Sequence, residues 1–164
     1  MGITSLRQDG VLFASDMPPE IDTVLQEAVV LYEDTEWAEA SLQMAFSMAP
    51  KRQEVYVALY KFYFYKNRLD KAEVIALKAL TEAAKQGGFS ADWSSLNSDS
   101  SQWESAAGAQ RSFLYTLKTL AFINLRKDNN HHAVALLDKL YELDPKDQVG
   151  ASVIRDLAIG TEEE

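Results

Sequence analysis

His131 and His132 are the only histidines in a chain of 164 residues that has no cysteine at all. Adjacent positions on a helix point about 100° apart, so two neighbouring imidazoles do not converge on one metal. Their place, just after the polar run Lys127-Asp128-Asn129-Asn130, reads as a solvated helix start. The lack of cysteine excludes disulfides, zinc–thiolate sites and cysteine nucleophiles. Asp34 and Glu36 could pose as a general acid and base, but their setting reads as a helix cap and a solvated face. Gly87-Gly88 is a helix stop rather than a phosphate-binding loop. No nucleophile elbow or helical metal motif is present. Met1-Gly2 opens like a myristoylation site, yet Leu6 stands where Ser or Thr is required. The chain is therefore expected to be noncatalytic, with no cofactor and no metal.

What remains is the arrangement of helices, and it is built around Gln53 to Lys85. Val55, Tyr56, Leu59, Tyr60 and Tyr63 recur at three- and four-residue spacing, as on the buried face of a helix. Leu69, Ala72, Ile75, Ala76, Ala79 and Leu80 repeat the pattern. Lys66-Asn67-Arg68 separates the two runs, and Asn67 with Asp70 reads as an N-cap. The pair predicts a helical hairpin, which cannot bury its stripes alone.

Copies of the hairpin stand on either side. Leu25, Val29, Ala38, Leu42 and Ala45 match Leu59, Tyr63, Ala72, Ala76 and Ala79 at a spacing of 34 residues. Leu120, Ala133 and Leu140 match Leu59, Ala72 and Ala79 at 61, which is 34 and a further 27. Helix-turn-helix units with a period of 34 resemble the tetratricopeptide repeat family. Ala38, Ala72 and Ala133 supply the small residue that opens each second helix. Pro50 and Pro145 close the first and third units, with Ala84 in that place in the second. The ending Tyr141-Glu142-Leu143-Asp144-Pro145 is especially similar to the family's. No glycine follows Leu25, Leu59 or Leu120, where Gln26, Tyr60 and Ala121 stand instead.

The resemblance implies an all-α fold, a right-handed α-solenoid of helical hairpins with about seven helices. The expected layout is a flexible arm over 1–18 and a single domain over 19–158. Within it, repeats lie near 19–52, 53–85 and 112–145, with an insertion over 86–110 and a capping helix over 147–158. Residues 159–164 form an acidic tail. The insertion is Ser-rich and has no Lys or Arg, but carries Phe89, Trp93, Leu96 and Trp103. Ser101 and Glu104 have capping-box spacing, which predicts a helical turn there. Two readings of Trp93 and Trp103 stay open: they pin the loop against the helices, or they belong to a lid beside a binding groove.

Carried over from the family, the inward positions are Thr23, Val24, Glu27, Val30 and Leu31 in the first repeat. Val57, Ala58, Lys61, Phe64 and Tyr65 follow in the second, and Tyr115, Lys118, Thr119, Phe122 and Arg126 in the third. This implies a peptide-binding set of Lys61, Phe64, Tyr65, Tyr115, Lys118, Phe122 and Arg126. The carboxylate clamp of chaperone-binding members is missing, because Thr23, Glu27, Ala58, Tyr115 and Thr119 occupy its positions.

The formal charge is −9, from 25 acids against 16 bases. That argues against nonspecific nucleic-acid binding and against an anionic membrane surface. No apolar run approaches the roughly 18–20 residues of a membrane span, and the N-terminus lacks a basic leader followed by a long apolar stretch. A cytoplasmic protein–protein interaction module is expected, an adaptor or assembly factor with a protein or peptide partner. Two alternatives are a small secretion-type chaperone shielding an apolar client segment and a self-associating structural protein.

Overall fold

The computed structural model describes residues 17–30, 32–105 and 108–163. Most of the expected arm, together with Leu31 and Glu164, lies outside these residues. Among the described residues the protein is all-α, with seven α-helices, one 3-10 turn and no strand. The helices are α1 (Pro19–Val30), α2 (Thr35–Met48), α3 (Gln53–Tyr65), α4 (Leu69–Gly87), α5 (Ala109–Arg126), α6 (Asn130–Leu143) and α7 (Ser152–Glu163). The chain divides into two compact units, one ending at Ile75 and the other beginning at Ala76.

In the first unit α1 packs on α2 and α2 on α3. Leu25 and Ala28 of α1, Ala38, Leu42 and Ala45 of α2, and Leu59, Tyr60 and Phe62 of α3 are buried. Fully burying a leucine stabilises by about 1.5–3 kcal/mol, while the alanines let the backbones approach closely. The rings of Tyr32 and Phe62 meet edge to face at 5.9 Å, and those of Phe46 and Tyr56 at 5.3 Å. In the second unit α5 packs on α6, and α7 packs on both. Its core includes Phe113, Leu114, Leu117 and Ile123 of α5 with Ala133, Leu136, Leu140 and Leu143 of α6.

The turns repeat in geometry. At the end of α3, Asn67 is left-handed at φ +59°, and the Arg68 amide donates to the Tyr63 carbonyl at 2.8 Å. At the end of α5, Asp128 is left-handed at φ +61°, and the Asn129 amide donates to Asn124 at 2.8 Å. The N-cap reading of Asn67 is thereby corrected. Asn67 closes the preceding helix, a role Asn fills because it tolerates the left-handed region better than most side chains. The proline turns also match. Ala49 before Pro50 has φ −142° and ψ 68°, and Asp144 before Pro145 has φ −131° and ψ 65°. Each sends its amide back to the carbonyl four residues earlier, Ala45 or Leu140.

The insertion is held from within the second unit. Gly88, at φ +75°, ends α4 with the Phe89 amide donating to the Ala84 carbonyl. Asp92 caps the short turn Trp93–Ser95 through the Ser94 amide. After Ser101 the chain makes a single turn at Trp103 and Glu104, closed by the Ser105 amide donating to the Gln102 carbonyl, and no helix continues from it. Glu104 instead faces Lys146 at 3.3 Å across open solvent, a pair that contributes little.

Candidate functional site

On α3, Lys61, Phe64 and Tyr65 lie at three- and four-residue spacing. Val57 and Ala58 at the start of that face are buried, whereas Lys61 and Phe64 are half-buried and Tyr65 is 43% exposed. Phe64 and Tyr65 stand edge to face at 5.6 Å. The α3 face thus begins inside the fold and ends on a partly exposed aromatic pair with a lysine one turn before it.

On α5, Tyr115, Lys118, Phe122 and Arg126 fall on one face by helical spacing. Tyr115 and Phe122 are half-buried and Arg126 is exposed. Lys118 departs from the role expected of it. Its Nζ donates to the Val149 carbonyl at 2.7 Å and lies 4.7 Å above the Tyr115 ring. Burial pulls the ammonium below the ordinary lysine range; Asp147 opposes that shift and Arg111 adds to it. Arg111 donates to the Gln148 carbonyl at 3.0 Å. Two α5 bases therefore hold the loop before α7. Lys118 is a structural tie, because a backbone carbonyl is a strong partner for an ammonium removed from water.

The tryptophans separate. Trp103 is 4% exposed, and its indole N–H donates to the Asn97 carbonyl at 3.0 Å. Its ring lies 4.8 Å from Phe89 and 5.8 Å from Phe113, which are themselves 5.0 Å apart. Trp103 is a core residue and cannot serve as a lid without dismantling that cluster. Trp93 is half-buried, 5.8 Å from the His132 ring. Both histidines are exposed. No group of three or more His, Asp or Glu among the described residues is placed to hold a metal. No helix there is long and apolar enough to cross a membrane.

A polar cluster in the first unit has no counterpart in the sequence reading. The Tyr63 hydroxyl donates to Glu39 Oε2 at 2.6 Å and accepts from Gln43 Nε2 at 3.0 Å. Arg68 lies 3.3 Å from Glu39 Oε1 and Lys71 lies 3.8 Å from Oε2. The Tyr63 hydroxyl, aided by Arg68 and Lys71, holds the Glu39 carboxyl below the usual carboxylate range. Burial, then the Glu39 bond, pushes the Tyr63 hydroxyl up. The cluster lines a hollow of about 370 Å³ with Asp70, Val74 and Ile75. The only signal for it was a tyrosine on the buried stripe, whose hydroxyl needs a partner.

Asp144 is a buried carboxylate, 3% exposed. It accepts from the Gln148 amide at 3.0 Å, the Gln148 side chain at 3.2 Å and the Val149 amide at 3.2 Å. Asp147 accepts from the amide and hydroxyl of Ser152 at the start of α7. These bonds keep the loop out of helix, so α7 begins at Ser152.

These features define an all-α protein whose α3 and α5 each present a partly exposed aromatic and basic face. An uncharacterized 19.8 kDa protein in the nifW 5′ region of Azotobacter chroococcum mcd 1 is 30% identical over 147 residues, covering 88% of this chain and 81% of that protein. The chain belongs to the family of that protein. No family model matches it, and no solved structure does.

Proposed function

We propose that the chain is a noncatalytic protein–protein interaction module of tetratricopeptide type, an adaptor or assembly factor that holds a peptide segment of a partner. The α-solenoid reading of its hairpins is part of the proposal. The 34-residue period and the matching turns at Asn67 and Asp128, and at Ala49 and Asp144, support it.

One observation carries the binding role. The helix faces that the family resemblance turns inward end, on α3 and on α5 alike, in partly exposed aromatics beside a base. Apolar side chains of the partner would lie against Tyr65 and Phe122. Lys61 and Arg126 would steer an acidic segment and raise its on-rate. The proposed contact set leaves out Lys118 and Trp103, which are tied into the second unit. If Tyr65 is a hot spot, its removal costs about 2–4 kcal/mol of binding.

The test places a photo-crosslinking amino acid at position 65, at 122 and, as a control, at exposed Glu142, in native cells. Crosslinks from 65 and 122 to one and the same protein are expected, with none from the control. The relative is encoded in the nifW 5′ region, so the nifW product, where the cell has one, is the first candidate partner to examine. No crosslink at 65 and 122, or the same products as the control, overturns the proposal.

A further inference from the structure

We infer that α2 carries a second docking surface, which takes a basic amphipathic segment of a partner protein. Trp37, Met44 and Met48 are 65%, 57% and 46% exposed. Their spacing of seven and then four residues places them within about 40° of one another on the helix. They form an apolar stripe nearly the length of α2, beside the buried face of Ala38, Leu42 and Ala45. An exposed tryptophan and two methionines suit an interface. The indole supplies a large rigid contact, and unbranched thioether side chains adapt to varied partner surfaces.

Charge decides the occupant. From Met17 to Pro50 the chain has seven acids and no lysine or arginine; Arg68 and Lys71 pair with one of them, Glu39, which leaves Glu20, Asp22, Glu27, Glu33, Asp34 and Glu36 to set the charge. Glu33, Asp34 and Glu36 immediately precede Trp37 in sequence and are themselves exposed. An apolar stripe in so acidic a setting complements a helix with apolar residues on one side and Lys or Arg on the other. The chain's own first sixteen residues fit poorly, with one arginine against two aspartates. A second copy fits no better, because a molecule of net charge −9 would set acid against acid. This surface differs in place and in charge preference from the α3 and α5 faces, so it does not depend on the reading given to them.

The probe is a fluorescently labelled 18-residue amphipathic helix of Leu and Lys, with an isomer carrying Glu in place of every Lys. Binding to the full chain is followed by anisotropy at low and high salt. The lysine peptide is expected to bind at least tenfold tighter than its isomer, and to weaken as salt rises. Trp37→Ala with Met44→Ala should reduce its affinity at least tenfold at unchanged protein charge. Glu33→Gln with Glu36→Gln should reduce it severalfold. A Tyr141→Ala variant, which removes an exposed aromatic on α6, should bind like wild type. Circular dichroism confirms that each variant is folded. Equal affinity for both peptides, or unchanged binding by the Trp37/Met44 variant, overturns the inference. So does a dimer in sedimentation that dissolves in that variant, since it would assign the stripe to a second copy.

Discussion

Removing the Trp103 side chain tests whether the insertion is part of the core. Trp103→Ala takes away a ring that is 4% exposed, packed on Phe89 and Phe113, and bonded to the Asn97 carbonyl. A buried tryptophan cut to alanine costs about 3–5 kcal/mol, which already includes the ring contacts. For a protein of this size each kcal/mol lowers the melting temperature by about 2–4 °C, so a fall of roughly 6–20 °C is expected. Trp103→Phe keeps most of the packing but loses the indole bond, and should cost only about 1–2 kcal/mol. Urea unfolding followed by circular dichroism gives the free energies. Limited chymotrypsin digestion locates the loosening, at Phe89, Trp93 and Leu96. Trypsin would not see it, because residues 86–110 contain no Lys or Arg. A loss below about 1 kcal/mol for Trp103→Ala, with no new chymotryptic cleavage, would refute the reasoning.

Tyr63→Phe removes a hydrogen bond to a carboxylate whose side chain is about a quarter exposed, and should cost about 1–2 kcal/mol in urea unfolding at neutral pH. Glu39 is held below its unfolded value, so its contribution is complete above the unfolded pKa near 4.3 and is lost as pH falls through the folded one. The stability gap between wild type and Glu39→Gln should therefore be constant from about pH 5.5 to 8 and narrow in acid; a gap that widens in acid contradicts the cluster. Asp144→Ala strips partners from the Gln148 and Val149 amides and should cost about 2–4 kcal/mol by thermal unfolding. Gly87→Ala drives a methyl group into the Phe89 ring, which Trp103 and Phe113 hold in place. It should lower the melting temperature by several degrees, despite alanine's higher helix propensity.

Periodicity made the helices legible. The stripes through Leu25, Leu59 and Leu120 lie at the buried centres of α1, α3 and α5, because the 3.6-residue period is a direct imprint of one-sided burial. Ala38, Ala72 and Ala133 are fully buried, as small residues between closely packed helices must be. Features that depend on nonlocal partners were not legible. The pattern around Asn67 admits either the cap of the next helix or the close of the last, and only the backbone angle distinguishes them. Lys118 reads as a surface charge until the loop carrying Val149 folds back onto it. Trp103 admitted two roles because its partners, Phe89 and Phe113, flank a segment with no periodicity of its own. The Glu39–Tyr63 bond joins residues 24 apart on different helices, a spacing that no single-helix pattern encodes.

The most direct test of the proposed function is affinity capture of the tagged full chain from its native cell. It is run beside a folded triple variant, Tyr65→Ala, Phe122→Ala and Arg126→Glu, with helicity and melting checked first. The account predicts a protein recovered in fixed ratio with the wild type and lost from the variant. Recovery of the same protein by both, or of none by the wild type, would contradict it.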